Sequence, residues 1–543
     1  MNKKYSFLTN VHVVFFLAAL VGLPLLFQYN PTNDCAMRYA PMAEAFSVGD
    51  FNMAFHSRFL PLYTILTGSV CFLLKCSGYF ACKFVCWLAF SLSVYPLFYS
   101  VKLVSGKKTI ALISSYLLVF CYPLIAFIGG GTRANLKSFL ILCLAWAFLG
   151  SWKYDKLKYL LWAAVFAALL TLTRGDIALY AVIVIGTLII KQMLSNKIKF
   201  IYRPVLAGLF FVAILFPWLC FQYNNIGYPV PETRHGMLLH KMSKKLLAIT
   251  LLHNKDSKYD IVTGNANPIS GKSEEASVLQ VQTRDIETLP TLGYREDDDT
   301  LSQNFVKFLK GMFPFYMILA IIGIVLRVKE KSWNRFDTIL LSLFLGHTVL
   351  VIAQVWIADH RLYVSQRYIQ PTIPLYFIWV ATALLYLYEK FKDIWNGRFK
   401  YLLFFTALVI IMVLLQQGYK DVIRENITRR AWTQDLKEIS KIINKQNLLR
   451  IYGQHTALTC NFNVSPAIMT SETVIGYYSR CKVISLKSAQ QNTGAINKLI
   501  AGGAIHFIAI RHKDADDFPA LSNETQAKEV YRGKRYTLWI TKL

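Results

Sequence analysis

The sequence has 543 residues, 55% of them hydrophobic, and a mean hydropathy of +0.38. Soluble domains contain about 45–50% apolar residues. Here the excess lies in long runs, near the roughly 20 residues that cross a hydrocarbon core. These values exclude a soluble globular protein and predict a polytopic α-helical membrane protein. The formal net charge of +28 is explained by Lys and Arg in short cytoplasmic loops rather than by nucleic-acid binding.

Hydrophobic runs recur along most of the chain. The first, Val11 to Phe27, is not followed by a small-residue cleavage site, so we interpret it as a helix and not as a signal peptide. The runs lie near residues 11–28, 59–76, 79–101, 109–128, 137–151, 159–173, 177–190, 204–222, 306–326, 337–357, 371–388 and 400–416.

Lys and Arg are concentrated in short loops between these runs, and such loops remain in the cytoplasm. They lie at 101–108, 153–158, 191–203, 327–335 and 389–400. If 59–76 crossed the membrane, all of these loops would be external. We therefore predict that 59–76 is re-entrant or broken, which leaves about 11 spanning helices. The alternative is a plain helix at 59–76 with an unusual loop at 102–108.

This topology divides the chain into a transmembrane domain, residues 1–416, and a small extracytoplasmic α/β domain, residues 417–543. The first external loop is 29–58 and the large external loop is 223–305. In the C-terminal domain, helices are expected at 434–445 and 492–503, and strands at 448–453, 481–487, 505–512 and 535–543. Cys460 and Cys481 could pair if this domain faces an oxidising compartment.

The first external loop contains the stretch NDCAMRYAPMAEAFSVGDF, residues 33–51. Its apolar residues recur at helical spacing between Ala36 and Val48, which predicts a short helix lying at the membrane surface. Asp34 stands at the start of that helix. An acid there is favoured by the helix dipole alone, so Asp34 is either a helix cap or a functional carboxylate.

Several short motifs follow one another along the chain: Asp34, Arg38-Tyr39-Ala40, Gly49-Asp50-Phe51, Pro61-Leu62-Tyr63, 173–176, 216–233 and 367–379. Their order resembles that of the GT-C fold glycosyltransferases, which include protein mannosyltransferases and the aminoarabinose transferases that modify lipid A. The resemblance covers roughly residues 11–420. Cys35 stands where many relatives have a second acid, so chemistry by an acid pair on a metal is not supported.

The resemblance implies a polyprenyl-phosphate sugar as donor. Asp34 is then the base that removes a proton from the acceptor hydroxyl. Cations would stabilise the leaving phosphate, and Arg suits this role because its donors form a planar fork. The candidates for binding the phosphate are Arg58, Arg174, Arg367 and His56, and the supporting residues are Arg38, Tyr39, Asp50 and Tyr63.

Purely structural roles also remain open for several charged residues of these loops. Arg133 and Arg361 fit head-group anchors at helix ends. Asp50 follows a glycine and fits a turn. His56 fits a structural role, and Glu44 fits an exposed helix position.

The function predicted is transfer of a sugar to a lipid, glycan or protein acceptor at the external face of a membrane, such as the bacterial inner membrane. No cofactor is required by this chemistry, and a divalent metal is possible but unsupported. Another polyprenyl-linked glycan enzyme, a polymerase or ligase, would need no acid in the first loop. A transporter of lipid-linked sugars would need charges deep within spans and repeated halves.

Overall fold

The computed structural model describes residues 10–27, 35–55, 59–174, 178–195, 202–226, 229, 314–359 and 369–394, and five strands between 467 and 541. In chain order the helices are α1 Val11–Leu26, α2 Ala40–Ser47, α3 Phe51–Ala54, α4 Pro61–Leu74, α5 Gly78–Leu92, α6 Val94–Ser105, α7 Lys108–Val119, α8 Tyr122–Gly130, α9 Ala134–Tyr154, α10 Leu157–Thr171, α11 Ala178–Ser195, α12 Tyr202–Ile226, α13 Pro314–Lys329, α14 Arg335–Asp359 and α15 Phe377–Ile394. A π-helical turn, Cys35–Tyr39, leads into α2, and a 3₁₀ turn, Gln370–Tyr376, leads into α15.

Helix α9 is the central helix of the bundle. Nearly all of its residues are buried, polar ones included. It packs against α5, α6 and α10, which surround it. By contrast, α12 has many exposed apolar side chains, as expected for a helix that faces lipid.

The basic loops lie together at one end of the bundle. The ammonium of Lys153 donates to the carbonyl of Leu103 at 3.3 Å, and the side chain of Asn334 donates to Val104 O at 2.9 Å. Lys191 donates to the backbone of α9 near Trp152. Contacts among four of the predicted basic loops confirm that these loops share one end, which we call the basic end.

The opposite end contains the motifs of the first external loop, and we call it the motif end. There the backbone N–H of Leu62 donates to Leu172 O at 3.2 Å, joining the start of α4 to the end of α10. The carboxylate of Glu44 accepts from Gly78 N at 2.8 Å, joining α2 to the start of α5. Glu44 is thus partly buried and bonded, not an exposed helix position.

The prediction that residues 59–76 form a re-entrant or broken segment is corrected. Residues Pro61–Leu74 make one continuous helix, so a break within this segment is wrong. The helix has 14 residues and is about 21 Å long, shorter than the hydrocarbon core of roughly 30 Å. Gly68, midway along α4, lies against Phe46 of α2, and the hydroxyl of Tyr63 contacts Cys82 and Cys86 of α5. Helix α4 therefore stays at the motif end.

The break occurs instead in the segment that we predicted as one span at 109–128. Helices α7 and α8 meet at an angle of 43°. Pro123 lies in the first turn of α8, where it cannot continue the hydrogen bonding of a preceding helix.

Four helices of the described part are long and apolar enough to cross a membrane, or five if α7 and α8 form one bent span. The protein is therefore an integral membrane protein. The predicted total of about 11 spans remains a prediction, since the run at 400–416 lies outside the described residues. Helix α12 ends at Ile226, so the large external loop begins later than the predicted 223.

A buried ion pair holds α13, α14 and α15 together at the basic end. Arg327 Nη2 lies 2.7 Å from Asp337 Oδ2, and both side chains are nearly inaccessible. The other oxygen of Asp337 accepts from Trp379 Nε1 at 3.1 Å, and the backbone N–H of Asn334 donates to Asp337 Oδ2 at 3.1 Å. Each oxygen of the carboxylate thus has at least one donor, which is the condition for a stable buried charge.

The C-terminal strands form one mixed sheet. They are β1 Ala467–Thr470, β2 Lys482–Ser485, β3 Phe507–Arg511, β4 Ala527–Arg532 and β5 Tyr536–Thr541, in the order β2-β1-β3-β5-β4. Strands β1, β2 and β3 are parallel, and β5 runs antiparallel to both β3 and β4.

Strands β2, β3 and β5 confirm three of the strand predictions. Strands β1 and β4 were not predicted; β4 is largely polar, with Lys528, Glu529 and Arg532 among its six residues. The predicted strand at 448–453, both predicted helices, Cys460 and Cys481 lie outside the described residues.

Replacing Asp337 by Asn should destabilise the protein by about 3–5 kcal/mol, because the charge of Arg327 is left buried without its counter-charge. The measurement is the thermal unfolding of the detergent-purified protein. Asp155→Asn is the matched control. Asp155 pairs with Arg203 at 3.8 Å with both side chains partly exposed, so the loss should be about 0–1 kcal/mol. Equal losses in the two variants would show that the buried pair contributes no more to stability than the exposed pair.

Candidate functional site

The π-helical turn Cys35–Tyr39 is packed tightly against the bundle at the motif end. Cys35 is fully buried. Gly131, after α8, has a φ of +60°, and a Cβ atom built there would lie 2.9 Å from Cys35 Sγ and 3.3 Å from Cys82 Cβ. Glycine is therefore needed at position 131 for two reasons. Its positive φ disfavours residues with a side chain, and a side chain would prevent the close approach of the turn. Isolated π-helical turns are frequent at functional sites.

Tyr63, the last residue of the Pro-Leu-Tyr motif, contacts both the turn Cys35–Tyr39 and the loop after α8. Its hydroxyl lies 2.9 Å from Gly131 O and 3.1 Å from Cys82 O, and its ring is 5.1 Å from that of Tyr39. The side chain is almost completely buried. Tyr63 thus holds α4, α5 and the loop after α8 together next to the turn.

Arg133 joins the turn to the end of α10. Its guanidinium lies 5.6 Å from the centroid of the Tyr39 ring, and Nη1 donates to Thr173 O at 2.9 Å. Arg174, the next residue after Thr173, is 9% exposed. Arg133 therefore lies beside Tyr39 and contacts the residue that precedes Arg174 in the chain, so the motif end carries positive charge.

Two buried lysines were missed by the analysis of the sequence. Lys137 lies one turn after Arg133 on α9, and its backbone N–H donates to Arg133 O. Lys83 lies on α5 with its ammonium 4.4 Å from the Tyr79 ring centroid. Both are completely inaccessible to solvent. The signal in the sequence was a lysine within an apolar helix, which is costly in a membrane and marks function more often than structure.

Four predicted site residues, Asp34, His56, Arg58 and Arg367, lie outside the described residues, as does Arg361. Asp34 directly precedes Cys35 in the chain, and His56 and Arg58 fall between α3 and α4. The described neighbours Cys35, Phe55 and Phe59 belong to the motif end.

Arg38 and Asp50 have contacts of different kinds. The guanidinium of Arg38 lies 5.2 Å from the centroid of the Phe59 ring, just before α4. Asp50 is exposed, and its carboxylate accepts from Met53 N at 3.1 Å as the N-cap of α3. Among the described residues its hydrogen bonds involve none of the other predicted site residues, so the structure supports the turn role of Asp50.

The described contacts place one cation, Arg133, beside Tyr39 at the motif end. Arg174 follows the residue whose carbonyl Arg133 contacts, and Lys137 lies one turn further along α9. In surroundings of low dielectric a positive charge attracts an anion more strongly than in water. In the part of the chain that the structure describes, no group of three or more His, Cys, Asp or Glu residues is placed to hold a metal ion.

No family model matches the sequence, and no curated protein matches it. Solved structures do match. ArnT from Cupriavidus metallidurans in the apo state has a TM-score of 0.54 at 14% identity, over 98% of this chain and 97% of that chain. The same protein bound to undecaprenyl phosphate has a TM-score of 0.54 at 13% identity. The chain has the GT-C fold.

A third neighbour has the same fold. The Archaeoglobus fulgidus oligosaccharyltransferase in complex with Zn and sulfate has a TM-score of 0.51 at 13% identity, over 92% of this chain and 68% of that chain. The fold predicted from the order of motifs is thus confirmed. At these identities the likeness extends to the fold and not to the activity.

Gly131→Ala should lower stability and also displace the turn Cys35–Tyr39, because the new methyl group would overlap Cys35. Gly106→Ala is the control, since Gly106 has a φ of +69° and nothing within 4 Å of a built Cβ. Both variants should lose about 1–2 kcal/mol for the left-handed backbone. Only Gly131→Ala should lose more, measured as the thermal unfolding midpoint of the detergent-purified protein. Equal losses in the two variants would contradict the packing described.

Proposed function

We propose that this protein is a membrane glycosyltransferase that moves a sugar from a polyprenyl-phosphate donor to an acceptor hydroxyl at the external face of the membrane. The observation that carries the proposal is the contact of Arg133 with Tyr39 and with the carbonyl of Thr173, the residue before Arg174, beside the turn that Asp34 directly precedes. A phosphate that gains negative charge as it leaves needs such fixed cations.

In the proposed reaction Asp34 accepts the proton of the acceptor hydroxyl. The hydroxyl oxygen attacks the anomeric carbon of the donor sugar. The bond between that carbon and the phosphate oxygen breaks, and its electron pair leaves with the polyprenyl phosphate. One attack from the opposite side inverts the anomeric configuration. Arg174 and Arg133 bind the phosphate oxygens, with Arg58 and Arg367 as further proposed partners.

The fold supports this proposal, since GT-C neighbours include an ArnT structure bound to undecaprenyl phosphate. The position of the buried lysines also favours an enzyme over a transporter. Lys137 is in the first turn of α9, and Lys83 is the sixth residue of the continuous helical segment Gly78–Ser105. Transporter sites lie near the middle of the bilayer, whereas these charges lie near the motif end.

The proposed orientation follows from the two ends of the bundle. The basic loops share one end, and basic loops remain in the cytoplasm. The motif end then faces outward, toward the periplasm in a bacterial inner membrane. There the site would meet donors on the outer leaflet and a lipid, glycan or protein acceptor.

Asp34→Asn should reduce sugar transfer by about 10²–10⁴-fold, because the base is removed. The assay uses purified protein, a polyprenyl-phosphate sugar and mass detection of the released sugar or product. Binding of undecaprenyl phosphate should be retained, since the amide keeps the size of the side chain. Near-normal turnover by Asp34→Asn would remove Asp34 as the base and favour a polymerase or ligase that needs no acid in the first loop.

Arg174→Gln should weaken binding of undecaprenyl phosphate by about 10- to 100-fold, the effect of losing a charge-assisted hydrogen bond. Arg174→Lys should recover only part of this loss, because an ammonium has no fork. Arg203→Gln at the basic end is the control and should bind like the wild type. Affinity is measured on folded protein, verified by its thermal unfolding midpoint. Wild-type affinity in Arg174→Gln would exclude Arg174 from the phosphate site.

A further inference from the structure

Two cysteines meet where the chain passes from α4 to α5 at the motif end. Cys71 lies in the last turn of α4, and Cys76 is the second residue after that helix. The two side chains hydrogen-bond to each other. The sulfur of Cys76 also lies 3.9 Å from the carbonyl oxygen of Val70, the residue before Cys71. Both cysteines pack in one apolar cluster with Ala43 and Ala81.

The way in which α4 ends explains this meeting. Lys75 follows the helix with a left-handed backbone, at a φ of +48°. Helix ends of this kind turn the chain back, and the residue after the left-handed one commonly contacts the last turn of the helix. Here those two positions are occupied by Cys76 and Cys71. The local backbone therefore brings the sulfurs together.

The pair differs from the other described cysteines in its access to solvent. Among the cysteines that the structure describes, all are buried except Cys76 and Cys220. Cys76 is partly exposed in the loop before α5, and Cys71 is only 3% exposed. A reagent outside the protein can thus reach one sulfur of the pair, and the second sulfur is in contact with the first.

The end of α4 is the part of this helix that a covalent bond would hold. The start of α4 is held by the hydrogen bond from Leu62 N–H to Leu172 O. In the last turn, by contrast, the apolar side chains of Phe72, Leu73 and Leu74 are all more than half exposed. A bond from Cys71 to Cys76 would hold this turn against the loop that begins α5.

We propose that Cys71 and Cys76 form a structural disulfide at the motif end. This inference rests on the orientation given with the proposed function, in which the motif end faces an oxidising compartment. Disulfides form and persist in such compartments. The bond would hold the end of α4 in place, and α4 carries Tyr63, which contacts the loop after α8.

The bond would form by exchange with a disulfide-bonded protein carrier of that compartment. The sulfur of Cys76 loses its proton and attacks the carrier disulfide, and one carrier sulfur leaves as a thiolate that takes up a proton. The sulfur of Cys71 then loses its proton and attacks the sulfur of Cys76. The second carrier sulfur leaves and is protonated in turn. The pair loses two electrons and two protons, and the carrier gains both.

The test is mass spectrometry of the full-length protein, expressed in bacteria and purified without reductant, after alkylation under denaturing conditions. The segment 71–76 should carry no alkyl group and should be lighter than its reduced form by two hydrogen atoms. Cys220 should be alkylated in the same sample. In Cys76→Ser, Cys71 should become alkylated, whereas the matched control Cys220→Ser should leave the bond intact.

Thermal unfolding gives a second readout. A strong phosphine reductant should lower the unfolding midpoint of the wild type by about 2–5 °C more than it lowers that of Cys76→Ser, since only the wild type has this bond to lose. An equal shift in the two proteins would show that the bond does not stabilise the fold and would overturn its structural role.

A further variant separates failure of the disulfide from failure of the orientation. Val48, at the end of α2, is 80% exposed. In spheroplasts, Val48→Cys should react with a membrane-impermeant maleimide to a greater extent than the wild type. If it does, alkylation of Cys71 and Cys76 in most molecules overturns the disulfide alone. If it does not, the motif end is not external, and the proposed orientation fails together with the disulfide.

Discussion

The contact between Cys35 and Gly131 determines the geometry of the motif end. It brings the turn Cys35–Tyr39 onto the loop between α8 and α9, where only a residue without a side chain fits. Tyr63 holds the same loop through its hydroxyl. Because the turn is fixed there, Tyr39 lies under Arg133, and Arg133 reaches the end of α10. A chain in which this contact is looser would keep its helices and lose the contact of Arg133 with Tyr39 and with the end of α10.

The fold was predictable from the sequence to a large extent. Apolar runs located most helices, and the clustering of Lys and Arg grouped the loops that the structure brings together, as the bond from Lys153 to Leu103 shows. The continuous helix within residues 59–76 was not predictable, because a short apolar helix packed at one end of a bundle has the same composition as a broken span. The bend between α7 and α8 was missed because their combined length suits one straight helix.

The site was predictable only in part. Motif order singled out Tyr63, Arg38, Tyr39 and Arg174, and the structure places these residues at the motif end. Arg133 was considered a head-group anchor, since a single arginine at a helix end gives no sign of its partner across the bundle. Lys83 and Lys137 were missed because hydropathy averages hide one charge in an apolar helix. Asp50 is the N-cap of α3, in agreement with the turn that the Gly-Asp pair in the sequence already favoured.

The central claim of the proposed function is that the motif end binds the phosphate of a polyprenyl carrier beside Arg133. A cryo-electron microscopy structure with undecaprenyl phosphate tests it most directly. The account predicts phosphate density in hydrogen-bond contact, about 2.7–3.2 Å, with the guanidinium of Arg174 or Arg133. Phosphate density at the basic end, beside Lys153 or Arg335, would contradict the account.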